Sequence, residues 1–178
     1  MRSSATSHRA RTPSALFSLS ATLAFIAVAC STKPVVQPSS SFDGEWKVQW
    51  CNKARPDLDC GGFWLTLVER EGRICGTYMG ARVNLAQVDE GDRRAVEGMR
   101  SGNIAHVTIT SLRSGNVYRA QAELVAGRLH WKVTDTISER DEDIDIIAVS
   151  DTLERVPGKH SDGYAEVAEA CNDVVSTP

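Results

Sequence analysis

In this 178-residue chain the side chains with chemistry beyond packing are a few histidines, five cysteines and one acidic run. His106, His130 and His160 stand far apart, and no H-x-x-x-H or H-E-x-x-H pair exists to place two imidazoles on one helical turn. There is no G-x-S-x-G elbow and no phosphate-binding loop. Isolated histidines such as His106 in a β-branched run and His130 beside Trp131 read as surface or packed residues, so the sequence predicts no catalytic activity. The acidic run is Ser138-Glu-Arg-Asp-Glu-Asp-Ile-Asp145, in which Asp141, Asp143 and Asp145 alternate as in the first half of a calcium loop. That loop also needs Gly at its sixth position and Glu at its twelfth, where this chain has Ile146 and Thr152. The run is therefore expected to be a solvated hairpin loop, with no metal and no cofactor.

The cysteines are Cys30, Cys51, Cys60, Cys75 and Cys171. Cys30 closes a leader: Arg2, Arg9 and Arg11 without an acidic residue, then an uncharged, largely apolar run from Ser14 to Ala29. A basic start and a short apolar core describe a signal peptide over residues 1–29, too short and too polar for a comfortable membrane span. Ala27-Val28-Ala29 before Cys30 resembles a bacterial lipobox, with Ala27 where Leu is usual. The resemblance implies diacylglycerol on Cys30, and Ser31 after it implies sorting to the outer membrane, facing the periplasm. Parity agrees, because setting Cys30 aside leaves four cysteines that can form two disulfides in an oxidising compartment. The alternative is ordinary cleavage that leaves Cys30 as a free or intermolecular thiol. Residues 1–29 hold three of the twenty basic residues and none of the twenty-three acidic ones, so the remainder carries a net charge of −6. Such a surface suits neither nucleic acid nor anionic lipid, and the membrane contact expected is through the N-terminal lipid.

Residues 30–41 hold two Pro and a run of Ser without apolar period, a flexible tether. From Gly44 onward apolar residues recur with period two: Trp46, Val48 and Trp50, then Phe63, Leu65 and Leu67, with Trp64 and Val68 making that second strand apolar on both faces. Further strands are expected over 73–78, 104–112, 117–125, 129–133 and 144–153, and glycines at 91, 102, 115 and 127 punctuate the chain at hairpin spacing. No recurring helical pattern separates them. The prediction is an all-β domain over residues 42–155, an up-and-down antiparallel barrel of seven or eight strands, with a β-sandwich as the alternative. Residues 156–178 form a tail with one short helix over 162–172. Cys51 ends the first strand and Cys60 begins the second, which favours a Cys51–Cys60 bridge across a hairpin base and leaves Cys75 for Cys171. Four cysteines allow three connectivities, and the other two stay open.

Gly44-Glu45-Trp46 resembles the G-x-W opening of lipocalins, in which the Trp plugs an eight-stranded barrel that can hold a small ligand. Ser114-Gly-Asn-Val-Tyr118 and Trp131-Lys132 resemble parts of the signature of bacterial c-type lysozyme inhibitors, small periplasmic proteins built on an eight-stranded barrel. Here Trp131 and Lys132 are adjacent, the two halves lie further apart than in that signature, and Val133 replaces its Gly. The resemblance implies that Ser114, Tyr118, Trp131 and Lys132 meet a partner hydrolase. The function expected is non-catalytic protein binding, as inhibitor or immunity protein against a resident or incoming envelope hydrolase. A small-ligand carrier and a structural or assembly lipoprotein are the alternatives.

Overall fold

The computed structural model describes residues 41–140, 145–158 and 160–172. Its strands are β1 Gly44–Trp50, β2 Gly61–Arg70, β3 Arg73–Ala81, β4 Val88–Glu90, β5 Val96–Ser101, β6 Ile104–Thr110, β7 Val117–Val125, β8 Arg128–Ser138 and β9 Ser150–Arg155, followed by helix α1 Asp162–Asn172. All pairings are antiparallel: β1 to β2, β2 to β3, β3 to β5, then in order to β9, which pairs back on β1 at Trp46–Arg155 and Lys47–Glu154. Eight strands thus close a barrel, and closure removes the exposed edges of a small sheet. The extra strand, β4, pairs with the upper part of β3 (Met79–Glu90 to Ala81–Val88), while β5 pairs with its lower part (Arg73–Met99 to Gly76–Val96).

This corrects the sequence reading in two places. The three-residue β4 and the polar β5 (Val-Glu-Gly-Met-Arg-Ser) carry too few alternating apolar residues to announce themselves, although Val96 is fully buried. The apolar run after the acidic segment is not a continuous strand over 144–153. Residues 145–149 are not strand: they bury Ile146 and Ala148 at the barrel end, rejoin the wall where the Val149 carbonyl accepts the Val133 amide at 2.8 Å, and the strand starts only at Ser150. A run buried by capping has the same composition as a run buried by pairing, so period alone does not separate them.

Alternation decides the interior. Trp46, Phe63, Leu65, Leu67, Ile74, Tyr78, Val107, Ile109, Leu129, Trp131 and Leu153 point inward and are at most 3% exposed. Several inward positions on β5 to β7 are small (Gly98, Ala105, Ala120, Ala122), and the large side chains of the other strands fill the volume they leave. Phe63 lies 5.7 Å from Tyr78 and 5.9 Å from Trp131 between ring centroids, a continuous aromatic layer near one end. Val68, outward on β2, is covered by Val167 and Cys171 of α1, which explains why β2 is apolar on both faces.

The two ends of the barrel differ. Tight turns at Glu71-Gly72, Gly102-Asn103 and Ala126-Gly127 all lie at one end, with Gly72, Gly102 and Gly127 at positive φ as such turns require. The chain enters at this end too. Glu69 accepts the Ser41 hydroxyl at 2.9 Å and the Phe42 amide at 2.8 Å, and the Arg155 guanidinium donates to the carbonyls of Ser41 and Asp43 while lying over the Trp46 ring at 4.1 Å. Phe42, wholly buried, closes the bottom of the core, and its carbonyl accepts the Trp46 indole N–H at 2.8 Å. The long connections 51–60, 82–87 and 111–116 lie at the opposite end, as do residues 139–140 and 145–149.

Disulfides join Cys51 to Cys60 and Cys75 to Cys171, the pairs that the hairpin register favours. The first closes the connection from β1 to β2, and the second ties α1 to the outside of β3. Cys30, the leader over residues 1–29 and the tether up to residue 40 lie outside the described residues.

Candidate functional site

The long-loop end is built on a buried polar brace. Asp89, inward on β4 and 1% exposed, accepts the Tyr78 hydroxyl at 2.9 Å, the Ser111 hydroxyl at 3.0 Å and the Ile146 amide at 3.1 Å. Asp145 accepts the Tyr118 hydroxyl and, at 3.0 Å, the Asn116 side-chain amide. The Asn116 side-chain oxygen takes the Arg140 amide at 2.6 Å. Three connections distant in sequence are therefore pinned together by charge-assisted hydrogen bonds, the stronger kind. Gly80 lets them close, because a Cβ there would stand 1.7 Å from the Ile146 carbonyl oxygen.

Hydrogen bonds dominate the electrostatics of this cluster. Burial would push the Asp145 carboxyl up, but hydrogen bonds involving Ser114, Tyr118, Ser111 and Asn116 outweigh it and hold the group below its ordinary value. Burial, followed by the hydrogen bond to Asp145, pushes Tyr118 up to about 12. Tyr78 rises further, from burial and then the neighbouring charge of Asp89. Both phenols stay protonated and both serve as fixed donors at neutral pH.

Above the brace the rim is exposed. Between the paired cysteines, Asn52–Asp59 is shaped by turns from Arg55 N–H to Asn52 O (3.0 Å) and Leu58 N–H to Arg55 O (3.2 Å), and by a two-point pairing of Arg55 with Asp57. It is joined to the next connection by the Asn84 amide on the Asp59 carbonyl at 2.7 Å. Gly61 permits that approach, since its Cβ would meet Ala81 O at 2.2 Å and Arg82 C at 2.5 Å. Beside them Trp50, Arg82, Val83 and Ala86 line an open hollow of about 380 Å³. Leu85, Val88, Leu112 and Val149 are exposed large apolar side chains around this end, Leu112 at 63% and Val149 at 69%.

The residues named from sequence separate. Ser114 and Tyr118 lie at the long-loop end and join the brace, with the Ser114 hydroxyl accepting the Asn116 amide at 3.0 Å. Trp131 is 1% exposed, its indole N–H donating to the Ala148 carbonyl at 2.8 Å, so it belongs to the core and offers no face to a partner. Lys132 is exposed on the side wall opposite Gln121 and Ser150, in a polar groove of about 430 Å³ with Glu123, His130 and Thr152. Ser138, six residues further along β8, is the position that pairs with Val117 beside the Ser114 loop, so Ser114 and Lys132 do not share a site. Among the described residues no three His, Cys, Asp or Glu side chains gather to hold a metal; Asp145 of the calcium-like run is spent on the brace, and Asp141 and Asp143 lie outside the described residues. Sequence reasoning missed Asp89, Ser111 and Asn116, whose only signal is a polar residue at a position the barrel turns inward.

No relative emerges. No protein-family model matches the chain, and neither a curated protein nor a solved structure is significantly similar to it. Among the described residues no helix is long and apolar enough to cross a membrane.

Proposed function

We propose that this is a periplasm-facing bacterial lipoprotein, held in the outer membrane through Cys30, that acts as a non-catalytic protein-binding module against a lysozyme-like or other envelope hydrolase. The observation that carries the reading is the polarity of the barrel. Chain entry and tight turns occupy one end, and the braced long loops with their exposed apolar side chains occupy the other. Ser41, the first described residue, is held at the end away from the rim, which supports an attachment that leaves the rim open to a partner. Loops carried on a rigid scaffold are where binding residues concentrate, and apolar side chains exposed within a polar rim suit a protein interface. Ser114 remains part of this reading as a rim residue, and Lys132 as a residue of a separate groove.

The carrier alternative fares worse on physical grounds. A lipocalin-type site needs volume inside the barrel, and here Trp46, Leu65, Leu67 and Trp131 occupy that volume at 1% exposure or less. The structural-lipoprotein alternative has no particular observation in its favour.

The test uses the chain from residue 31 onward with both disulfides formed. It is added to purified lysozymes of the c, g and i types and to purified peptidoglycan hydrolases, and clearing of a peptidoglycan suspension is followed. Stoichiometric inhibition of at least one enzyme is expected. No inhibition and no binding by calorimetry across the panel would remove the proposal.

A further inference from the structure

The rim is not uniform, and one sector of it has three properties that do not follow from packing. The first is rigidity at full exposure. The connection Asn52–Asp59 is almost wholly solvent-facing, yet it is closed by Cys51–Cys60, shaped by two backbone turns and an Asx-type bond from the Ala54 amide to the Asn52 side chain, and fastened to Asn84. A loop held this way loses little conformational freedom on binding.

The second is local strain. Asn84 and Leu85 both have positive φ, 64° and 50°, in the turn that touches this loop. Asn tolerates that region, but Leu does so only at a cost. Leu85 is 56% exposed, so no burial offsets the strain. Glu71 and Ala126 share the positive φ, but in two-residue hairpin turns that require it, whereas no hairpin demands it of Leu85.

The third is charge. The chain beyond the leader is net acidic, but Lys53 and Arg82 project here and neither has an ion-pair partner among the described residues. Asp57 at the loop tip is engaged by Arg55, and with Asp59 as the other acidic residue of the loop, Lys53, Arg55 and Arg82 still leave the edge net positive within an acidic chain.

We propose that the disulfide-closed loop Asn52–Asp59 and the adjoining turn Arg82–Gln87 form one binding edge for an acidic protein surface, Lys53 and Arg82 meeting its carboxylates while Leu85 packs on an apolar side chain between them. The half-exposed Trp50 and the hollow beside it widen the apolar part of the edge. The rest of the acidic barrel repels such a partner, so approach is steered to this sector, and mismatched orientations are disfavoured. The edge does not depend on the partner being a hydrolase.

The experiment is an NMR titration of the isotope-labelled chain (residue 31 onward, disulfides intact) with acetyl-Glu-Glu-Phe-Glu-Glu-amide, and with the same peptide carrying Lys for Glu. Shift changes from the acidic peptide are expected over 52–59 and 82–87, weakening as salt rises, with none from the lysine peptide. Lys53→Glu together with Arg82→Glu should weaken the response at least tenfold, whereas Arg128→Glu at the tight-turn end should leave it unchanged. Both altered side chains are exposed, and an unchanged melting temperature verifies the fold. Shifts centred on His130 and Lys132, equal shifts from both peptides, or full binding by the double variant would each overturn the proposal. Failure here combined with hydrolase inhibition by the same double variant would reject this edge and leave the inhibitor reading standing. Acidic-peptide binding at the edge with no hydrolase inhibited would do the reverse.

Discussion

Asp89 shows how much of the long-loop end hangs on one carboxylate. It is almost completely buried and accepts hydrogen bonds from Tyr78, Ser111 and the Ile146 amide. Removing an acceptor strands its donors, at roughly 1–3 kcal/mol for each group left unsatisfied. Asp89→Ala is therefore expected to cost about 3 kcal/mol or more, and Asp89→Asn, which keeps one oxygen acceptor, distinctly less. Urea unfolding of the two variants checks this, and equal losses would mean that volume rather than hydrogen bonding matters there. Asp145 and Glu69 give the same chemistry a pH dependence. For Glu69, as for Asp145, burial opposes the charge, but here the Arg100 guanidinium, the Phe42 amide and the Ser41 hydroxyl prevail, and both carboxyls sit below their ordinary values of 4.5 and 3.8. A depressed carboxyl binds its proton more weakly in the folded state than in the unfolded one. The stability contributed is thus complete above those ordinary values and lost as pH falls through the lower folded ones. Tyr118→Phe removes a donor to Asp145 and should raise the pH at which that carboxyl titrates, read from its side-chain carbon shift. The rise should come with no change at Glu69.

At the scale of elements the two disulfides do different work. Cys51–Cys60 closes a sequence separation of 9 and Cys75–Cys171 one of 96. Loop-closure entropy grows with the logarithm of loop length, so the first contributes about 2–3 kcal/mol and the second about 4–5 kcal/mol on the chain-entropy account. The double replacement Cys75→Ser with Cys171→Ser is expected to lower stability more than Cys51→Ser with Cys60→Ser, as chemical denaturation of each variant would record. The short-loop variant should keep a native barrel while losing order over 52–59, visible as faster amide exchange confined to that connection. Much of this was legible in the sequence, and physically so. Strands whose apolar residues alternate under a closed wall, as in β1 and β2, must show period two, and cysteines at the two ends of a hairpin base must face each other. β4 and β5 were illegible for the converse reason. β4 is too short to show a period, and β5 contributes mainly Val96 and the small Gly98 to the interior. The segment before β9 misled because capping a barrel end and joining its wall demand the same apolar residues. Among the candidate site residues, Trp131 was assigned to a partner by resemblance, whereas its neighbours on both sides, His130 and Lys132, point outward and force it into the core.

For the whole molecule the central fact is that the barrel is full at its centre and braced at one end. A filled barrel spends its interior on stability, which leaves the outside for recognition. The outside is asymmetric. Ser41 is clamped at the tight-turn end by Glu69 and Arg155, and α1 and its disulfide lie alongside the wall below the rim. If recognition takes place at the long-loop end, a bulky group there must block it, whereas the same group at the opposite end must not. Leu112, 63% exposed in the connection from β6 to β7, and Val125, 41% exposed at the turn from β7 to β8, provide matched positions because both side chains already face solvent. An azide-bearing residue placed at either position and coupled to polyethylene glycol leaves the core untouched. Polymer at 112 is expected to abolish binding to the hydrolase that the unmodified chain inhibits, and polymer at 125 to leave the affinity within about twofold, since only contacts at the interface core carry binding energy. The reverse pattern, measured by calorimetry, would place recognition on the tight-turn end and would mean that the tether, rather than the rim, sets how this barrel meets its partner.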